Sequence, residues 1–143
     1  MERLAPGTRP ESTLQPPSVA TVGFVVAASV VLTLFHFTDN YISIDTYPQP
    51  DWISGAIVLV SWPLFTAIGV AGYLLYRRGR FPAANIFLLA YAYVGLSSLG
   101  HFLSGSPDEF TTRGLISVLV DGVAGSAVLA VAIWSILARR SRS

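Results

Sequence analysis

The chain has 143 residues, of which 52% are hydrophobic and only 12% are charged, whereas a soluble domain usually carries roughly 25% charged residues. Its formal net charge of +1 gives no reason to expect nucleic acid as a partner, and the lack of cysteine excludes disulfides, thiolate metal sites and iron–sulfur clusters. Every basic residue other than the two histidines is arginine, which we interpret as a compositional hint of a bacterial source.

The apolar residues fall into four long runs, and these predict four membrane helices. Each run is close to the length of about 20 residues that crosses a hydrocarbon core. The β-branched valines of the first run do not argue against a helix, because a backbone in lipid has no hydrogen-bond partner outside the helix. We therefore predict an all-α membrane protein, a four-transmembrane-helix bundle spanning 19–138. The predicted segments are a mobile, proline-rich tail at 1–18, helices at about 19–38, 53–76, 82–103 and 115–138, and a basic tail at 139–143.

The arginines predict how the bundle is oriented. They cluster in the connection between the second and third helices and after the fourth helix, whereas the other two connections are mainly acidic. By the positive-inside rule, both termini then lie in the cytoplasm, and the protein is a multi-pass protein of the cell membrane. The clusters are Arg77, Arg78 and Arg80, and Arg139, Arg140 and Arg142.

The ionisable side chains inside the predicted helices should share one depth. His36 and His101 lie about one turn inside their helix ends, and Asp121 lies roughly 9 Å into the fourth helix. A carboxylate there costs roughly 2.5–3.5 kcal/mol, so Asp121 should be paired, protonated or in contact with water. Helical spacing also places Ser29, Thr33, His36 and Asn40 on one face. We predict a non-enzymatic pocket for a small amphipathic or lipid-like ligand, formed by His36, Asp39, Asn40, Ser61, Trp62, Ser98, His101 and Asp121.

Other functions remain open at this point. His36, His101 and Asp121 could ligate zinc or iron, and the two histidines could bind haem axially, in a membrane enzyme or redox protein. They could equally make polar contacts between helices. Gly122 and Ser126 form a small-xxx-small pair that permits close helix approach, so a homo- or hetero-oligomer or a structural subunit is a third possibility. The sequence names no cofactor, and no nucleophile elbow, phosphate-binding loop or dinucleotide fingerprint is present.

Three sequence features resemble the EXPERA group of four-helix membrane proteins, which includes sterol isomerases and ligand-binding relatives. They are FTDNYISIDTYPQP at the end of the first helix, SWPLF inside the second and LGHF on the third. The resemblance implies a cavity open to the membrane for sterol-like or other amphipathic molecules, with Asp39 and His101 at its polar end. The second helix carries no acidic residue, where the family commonly uses one, so the resemblance favours a ligand pocket over isomerase chemistry.

Overall fold

The computed structural model describes residues 14–141, and in these residues all regular structure is helical. All four predicted helices are present, and each is long and apolar enough to cross a membrane when α3 is taken together with the 3-10 helix that continues it. The predicted all-α, four-helix membrane bundle is therefore confirmed. The helices are α1 (Val19–Ile42), α2 (Gly55–Arg77), α3 (Phe81–Ser97) and α4 (Thr112–Arg140), with 3-10 helices at Ser98–Leu103 and Pro107–Glu109.

Two helix boundaries differ from the sequence expectation in a way that affects the site. α1 continues past the predicted end at 38, so Asp39 and Asn40 are helical and buried. α4 begins at Thr112 because Thr111 caps it, its hydroxyl accepting a hydrogen bond of 3.0 Å from the Gly114 amide. The first difference buries Asp39 and Asn40 in the bundle, and the second places the exposed Arg113 in the first turn of α4, where it pairs with Asp39.

The four helices form a ring in which α1 packs against α2 and α4, and α3 packs against the same two helices. α4 is the most buried of them. It approaches α3 most closely at Gly95 and Gly125, where a Cβ on Gly125 would lie only 2.6 Å from the Leu96 nitrogen. Of the predicted small pair, Gly122 faces Leu99 of the 3-10 helix that continues α3, whereas Ser126 is exposed and its hydroxyl donates to the Gly122 carbonyl of the same helix at 2.9 Å. The oligomer contact through this pair stays a prediction.

The bundle has two chemically different ends. We call the end where α1 and α3 finish the polar end, and the end where α1 begins and α4 finishes the arginine end. The apolar core, which includes Val22, Leu88 and Val128, lies toward the arginine end. The last residues of the predicted tail pack there, since the carbonyls of Pro17 and Gln15 each accept a side-chain hydrogen bond of 2.7 Å. The predicted mobility of residues 1–13, and Arg142 of the basic tail, lie outside the described residues.

Candidate ligand-binding site

One face of α1 changes from apolar to polar along its length. Val22 and Val26 belong to the apolar core, and the same stripe continues toward the polar end with buried Ser29, Thr33, His36 and Asn40. The spacing of three and four residues keeps these side chains on one face. α4 packs beside α1, and its Ser117 and Asp121 form hydrogen bonds with His36 and Thr33 of this stripe.

Asp121 is fully buried, with 0% of its surface exposed, and it is only half satisfied. The Thr33 hydroxyl donates a hydrogen bond of 2.7 Å to its Oδ1 atom. Its Oδ2 atom is buried and has no hydrogen-bond partner. A buried carboxylate oxygen without a donor is destabilising, so this atom marks a place where a further donor would bind favourably.

Asp39 is satisfied by groups outside the cavity. Its side chain is 1% exposed and forms an ion pair with Arg113, whose side chain is 55% exposed. The Ser117 hydroxyl adds a hydrogen bond of 3.3 Å, and Arg113 also donates to the Ser43 hydroxyl at 3.2 Å. Asp39 therefore ties α1 to the start of α4.

Tyr47 is a site residue that the sequence reasoning did not select. It comes from the α1–α2 connection, yet it is only 7% exposed. Its hydroxyl lies 2.9 Å from the Ser117 hydroxyl and 3.4 Å from His36 Nδ1, and it donates to the Gly114 carbonyl at 3.3 Å. Burial raises the pKa of this phenol to about 12. The one local signal is an aromatic residue directly before Pro48, a position where the backbone is restricted to extended conformations.

His101 has a defined tautomer. Its Nδ1 atom lies 2.7 Å from the Pro48 carbonyl, which can only accept, so Nδ1 carries a proton and, in the neutral imidazole, Nε2 carries the lone pair. The ring meets Tyr47 and His36 edge to face, with ring centroids 4.8 Å and 5.4 Å away. The connection between α1 and α2 is thereby fastened to the end of α3.

A cavity of about 300 Å³ lies among these elements at the polar end. Its apolar wall includes Phe37, Val58 and Phe65, and Trp52 and Ser97 at its edge are exposed. Two predicted site residues lie elsewhere: Asp39 pairs with Arg113, and Trp62 lines a separate groove of about 260 Å³ between α1 and α2. The other predicted site residues all line the cavity, namely His36, Asn40, Ser61, Ser98, His101 and Asp121.

The predicted cofactor sites do not fit this geometry. Among residues 14–141, no group of three histidine, cysteine or acidic side chains is arranged to hold a metal ion, so His36, His101 and Asp121 do not form one. The edge-to-face contact between His36 and His101 leaves no gap for a porphyrin plane between the two rings.

The fold and the cavity together define a small four-helix membrane protein with a polar pocket between its helices. In comparisons with protein-family models, with curated proteins and with solved structures, nothing matches the chain. The resemblance to the EXPERA group rests on the sequence pattern alone and stays a prediction.

Proposed function

We propose that this protein binds a small amphipathic molecule whose polar head donates hydrogen bonds, and that it does so without catalysing a reaction. The observation that carries the proposal is the Oδ2 atom of Asp121, which is buried, has no partner and belongs to a side chain that lines the cavity. A ligand that donates to this atom removes the cost of leaving it unsatisfied.

Two more acceptors in the cavity wall favour the same kind of head group. The Asn40 Oδ1 atom is buried without a hydrogen-bond partner. His101 offers the lone pair of Nε2, because its Nδ1 proton is used by the Pro48 carbonyl. These unpartnered acceptors call for donors, so a primary ammonium or hydroxyl group complements them better than a carboxylate does.

The rest of the wall suits a hydrocarbon body. Phe37, Val58 and Phe65 line it, so an apolar tail that enters from the bilayer meets surroundings as apolar as the lipid it leaves. Small-molecule sites commonly combine such walls with a few convergent polar groups. The cavity lies within the lengths of the membrane-spanning helices, so an amphipathic molecule dissolved in the bilayer is the natural ligand class.

The proposal is tested with three probes that share one tail and differ in the head: 4-phenylbutylamine, 4-phenylbutanol and 4-phenylbutanoate. Their affinities are measured by isothermal titration calorimetry on the detergent-solubilised protein. We expect the amine to bind best and the carboxylate worst. Asp121→Asn should weaken amine binding about tenfold or more, because a hydrogen bond to a charged group contributes about 1.5–3 kcal/mol, and should affect the alcohol less.

Asp45→Asn is the matched control, since it makes the same chemical change at an exposed position of the same end. It should leave amine binding unchanged. Equal affinity of all three probes for the wild type and both variants would reflect partition into the detergent and would overturn the proposal.

A further inference from the structure

Among residues 14–141, the arginine end carries charge of one sign only. Within residues 14–141 every aspartate and glutamate lies toward the polar end, either in its connections or in the half of α1 or α4 nearest to it. Basic residues concentrated at one end of a membrane bundle attract anionic lipid head groups. The described residues that provide this charge are Arg77, Arg78, Arg80, Arg139 and Arg140.

A groove of about 310 Å³ lies at this end, between the start of α3 and the end of α4. Pro82, Ile86, Leu89 and Ile136 contribute apolar wall, and Ile86 is exposed on the lipid-facing surface. Arg139 lines the same groove in the last turn of α4. An apolar channel with a cation at its membrane-interface end complements a lipid. The channel suits one acyl chain, and the cation suits an anionic head group.

The Arg139 guanidinium is held in place by its neighbours, and no acidic side chain among residues 14–141 neutralises it. It stacks on Phe81 with its central carbon 3.1 Å from the ring centroid, and it donates to the Tyr76 hydroxyl at 3.5 Å. Its Nε atom is buried without a hydrogen-bond partner, and no carboxylate in the described part of the chain forms an ion pair with it. The planar fork of a guanidinium matches the oxygens of a phosphate group.

Asn85 supplies an independent sign of a missing partner. It is only 7% exposed, it lines the groove, and its Oδ1 atom has no hydrogen-bond partner. Buried amide oxygens normally accept a hydrogen bond, so this atom is available to a donor such as a hydroxyl group of a lipid head.

We propose that this groove is a binding site for an anionic phospholipid. The phosphate lies on Arg139, a head-group hydroxyl lies on Asn85, and one acyl chain follows the apolar wall of α3 and α4. The apolar wall favours a lipid over free phosphate, and the unpaired arginine favours an anionic head over a zwitterionic one. The site lies at the opposite end from the ligand cavity and does not depend on the proposed function.

The test is native mass spectrometry of the detergent-solubilised protein titrated with phosphatidylglycerol or phosphatidylcholine of identical acyl chains. The wild type should retain phosphatidylglycerol more tightly. Arg139→Gln should weaken that binding about tenfold, because it removes charge-assisted hydrogen bonds from the guanidinium to the bound phosphate. Arg78→Gln is the matched control, because it removes an exposed charge from the same end outside the groove, and solvent and salt screen such a charge from the bound lipid, so the affinity should change by less than about twofold.

Ile136→Trp tests the acyl-chain channel without changing any charge, and it also serves if Arg139→Gln does not fold. It should reduce retention of phosphatidylglycerol while the helical circular dichroism signal is kept. If Arg139→Gln and Arg78→Gln weakened phosphatidylglycerol binding equally, the lipid would be held by the net positive charge of the arginine end and the specific site would be overturned. Wild-type retention in Ile136→Trp, or displacement of the lipid by an equal concentration of inorganic phosphate, would overturn the assignment to a phospholipid.

Discussion

Tyr47 joins three parts of the molecule through one hydroxyl group. Its partners are Ser117 and Gly114 on α4 and His36 on α1, and its ring contacts His101 and Phe110. This loop residue is thus as fully integrated in the polar end as the helical residues around it. Removing the hydroxyl leaves the ring packing but takes away the link between the connection and the helices.

The raised pKa of Tyr47 predicts a stability change at high pH. Because the pKa rises from 10.0 to about 12 on folding, the folded protein holds this proton more tightly than the unfolded chain. The resulting stabilisation is complete below pH 10 and is lost as the pH approaches 12. We expect wild type to lose more stability across this window than Tyr47→Phe in thermal unfolding followed by circular dichroism. Parallel pH profiles would contradict the prediction.

Removing Asp39 or Arg113 from their ion pair should reduce the stability of the folded protein by different amounts. Arg113→Gln leaves a buried carboxylate without its counter-charge, which we expect to cost about 2 kcal/mol because the arginine is itself half exposed. Asp39→Asn leaves only an exposed arginine, which water solvates, and should cost less. Unfolding of both variants under one detergent condition measures the difference. A larger loss of stability in Asp39→Asn would contradict the prediction.

At the scale of the helices, close backbone approach decides how α3 meets α4. A Cβ added to Gly125 would lie 2.8 Å from the Gly95 carbonyl carbon and 2.9 Å from the Ala92 carbonyl oxygen. These are backbone atoms, which cannot move aside as a flexible side chain can. In lipid no hydrophobic effect drives helices together, because lipid tails are as apolar as the side chains. Small residues at such crossings let the backbones approach closely, so that van der Waals contact holds the helices together.

Gly125→Ala should therefore push α3 and α4 apart and destabilise the bundle by about 2 kcal/mol, in the range of overpacked cores. Gly100→Ala is the control, because a Cβ there meets no atom within 4 Å, and it should stay within about 0.5 kcal/mol of wild type. Thermal unfolding of the detergent-solubilised proteins compares them. Equal stability of both variants would mean that α3 and α4 adjust their crossing freely.

For the whole molecule, charge asymmetry predicts orientation. The connections of the polar end carry acidic residues, and the arginine clusters lie at the other end, so the positive-inside rule places the arginine end in the cytoplasm. The chain contains no cysteine, so single-cysteine variants report position without background. We expect a membrane-impermeant thiol reagent added to intact cells to label Asp45→Cys and Ser106→Cys but not Gly79→Cys or Ser141→Cys. The reverse pattern would invert the topology.

The number of helices, their approximate spans and the common depth of the polar residues could all be predicted from the sequence alone. These properties depend on local runs of about 20 residues, because transfer of such a run into lipid is nearly additive along the chain. The polar stripe of Thr33 and His36 was also predictable, since it depends only on the period of one helix. Thr33 and His36 are buried, and so are Ser29 and Asn40 of the same stripe.

Only the tertiary structure decided which polar group meets which. Helical spacing predicted that Asp39 faces the pocket, whereas the rotation of α1 directs it to Arg113. Trp62 was predicted in the same pocket as Ser61, but the two residues line different cavities. The burial of Tyr47 depends on the path of a short connection between two helices. Helix rotation and loop path are set by packing between residues distant in sequence, such as Gly95 with Gly125, and no local pattern contains that information.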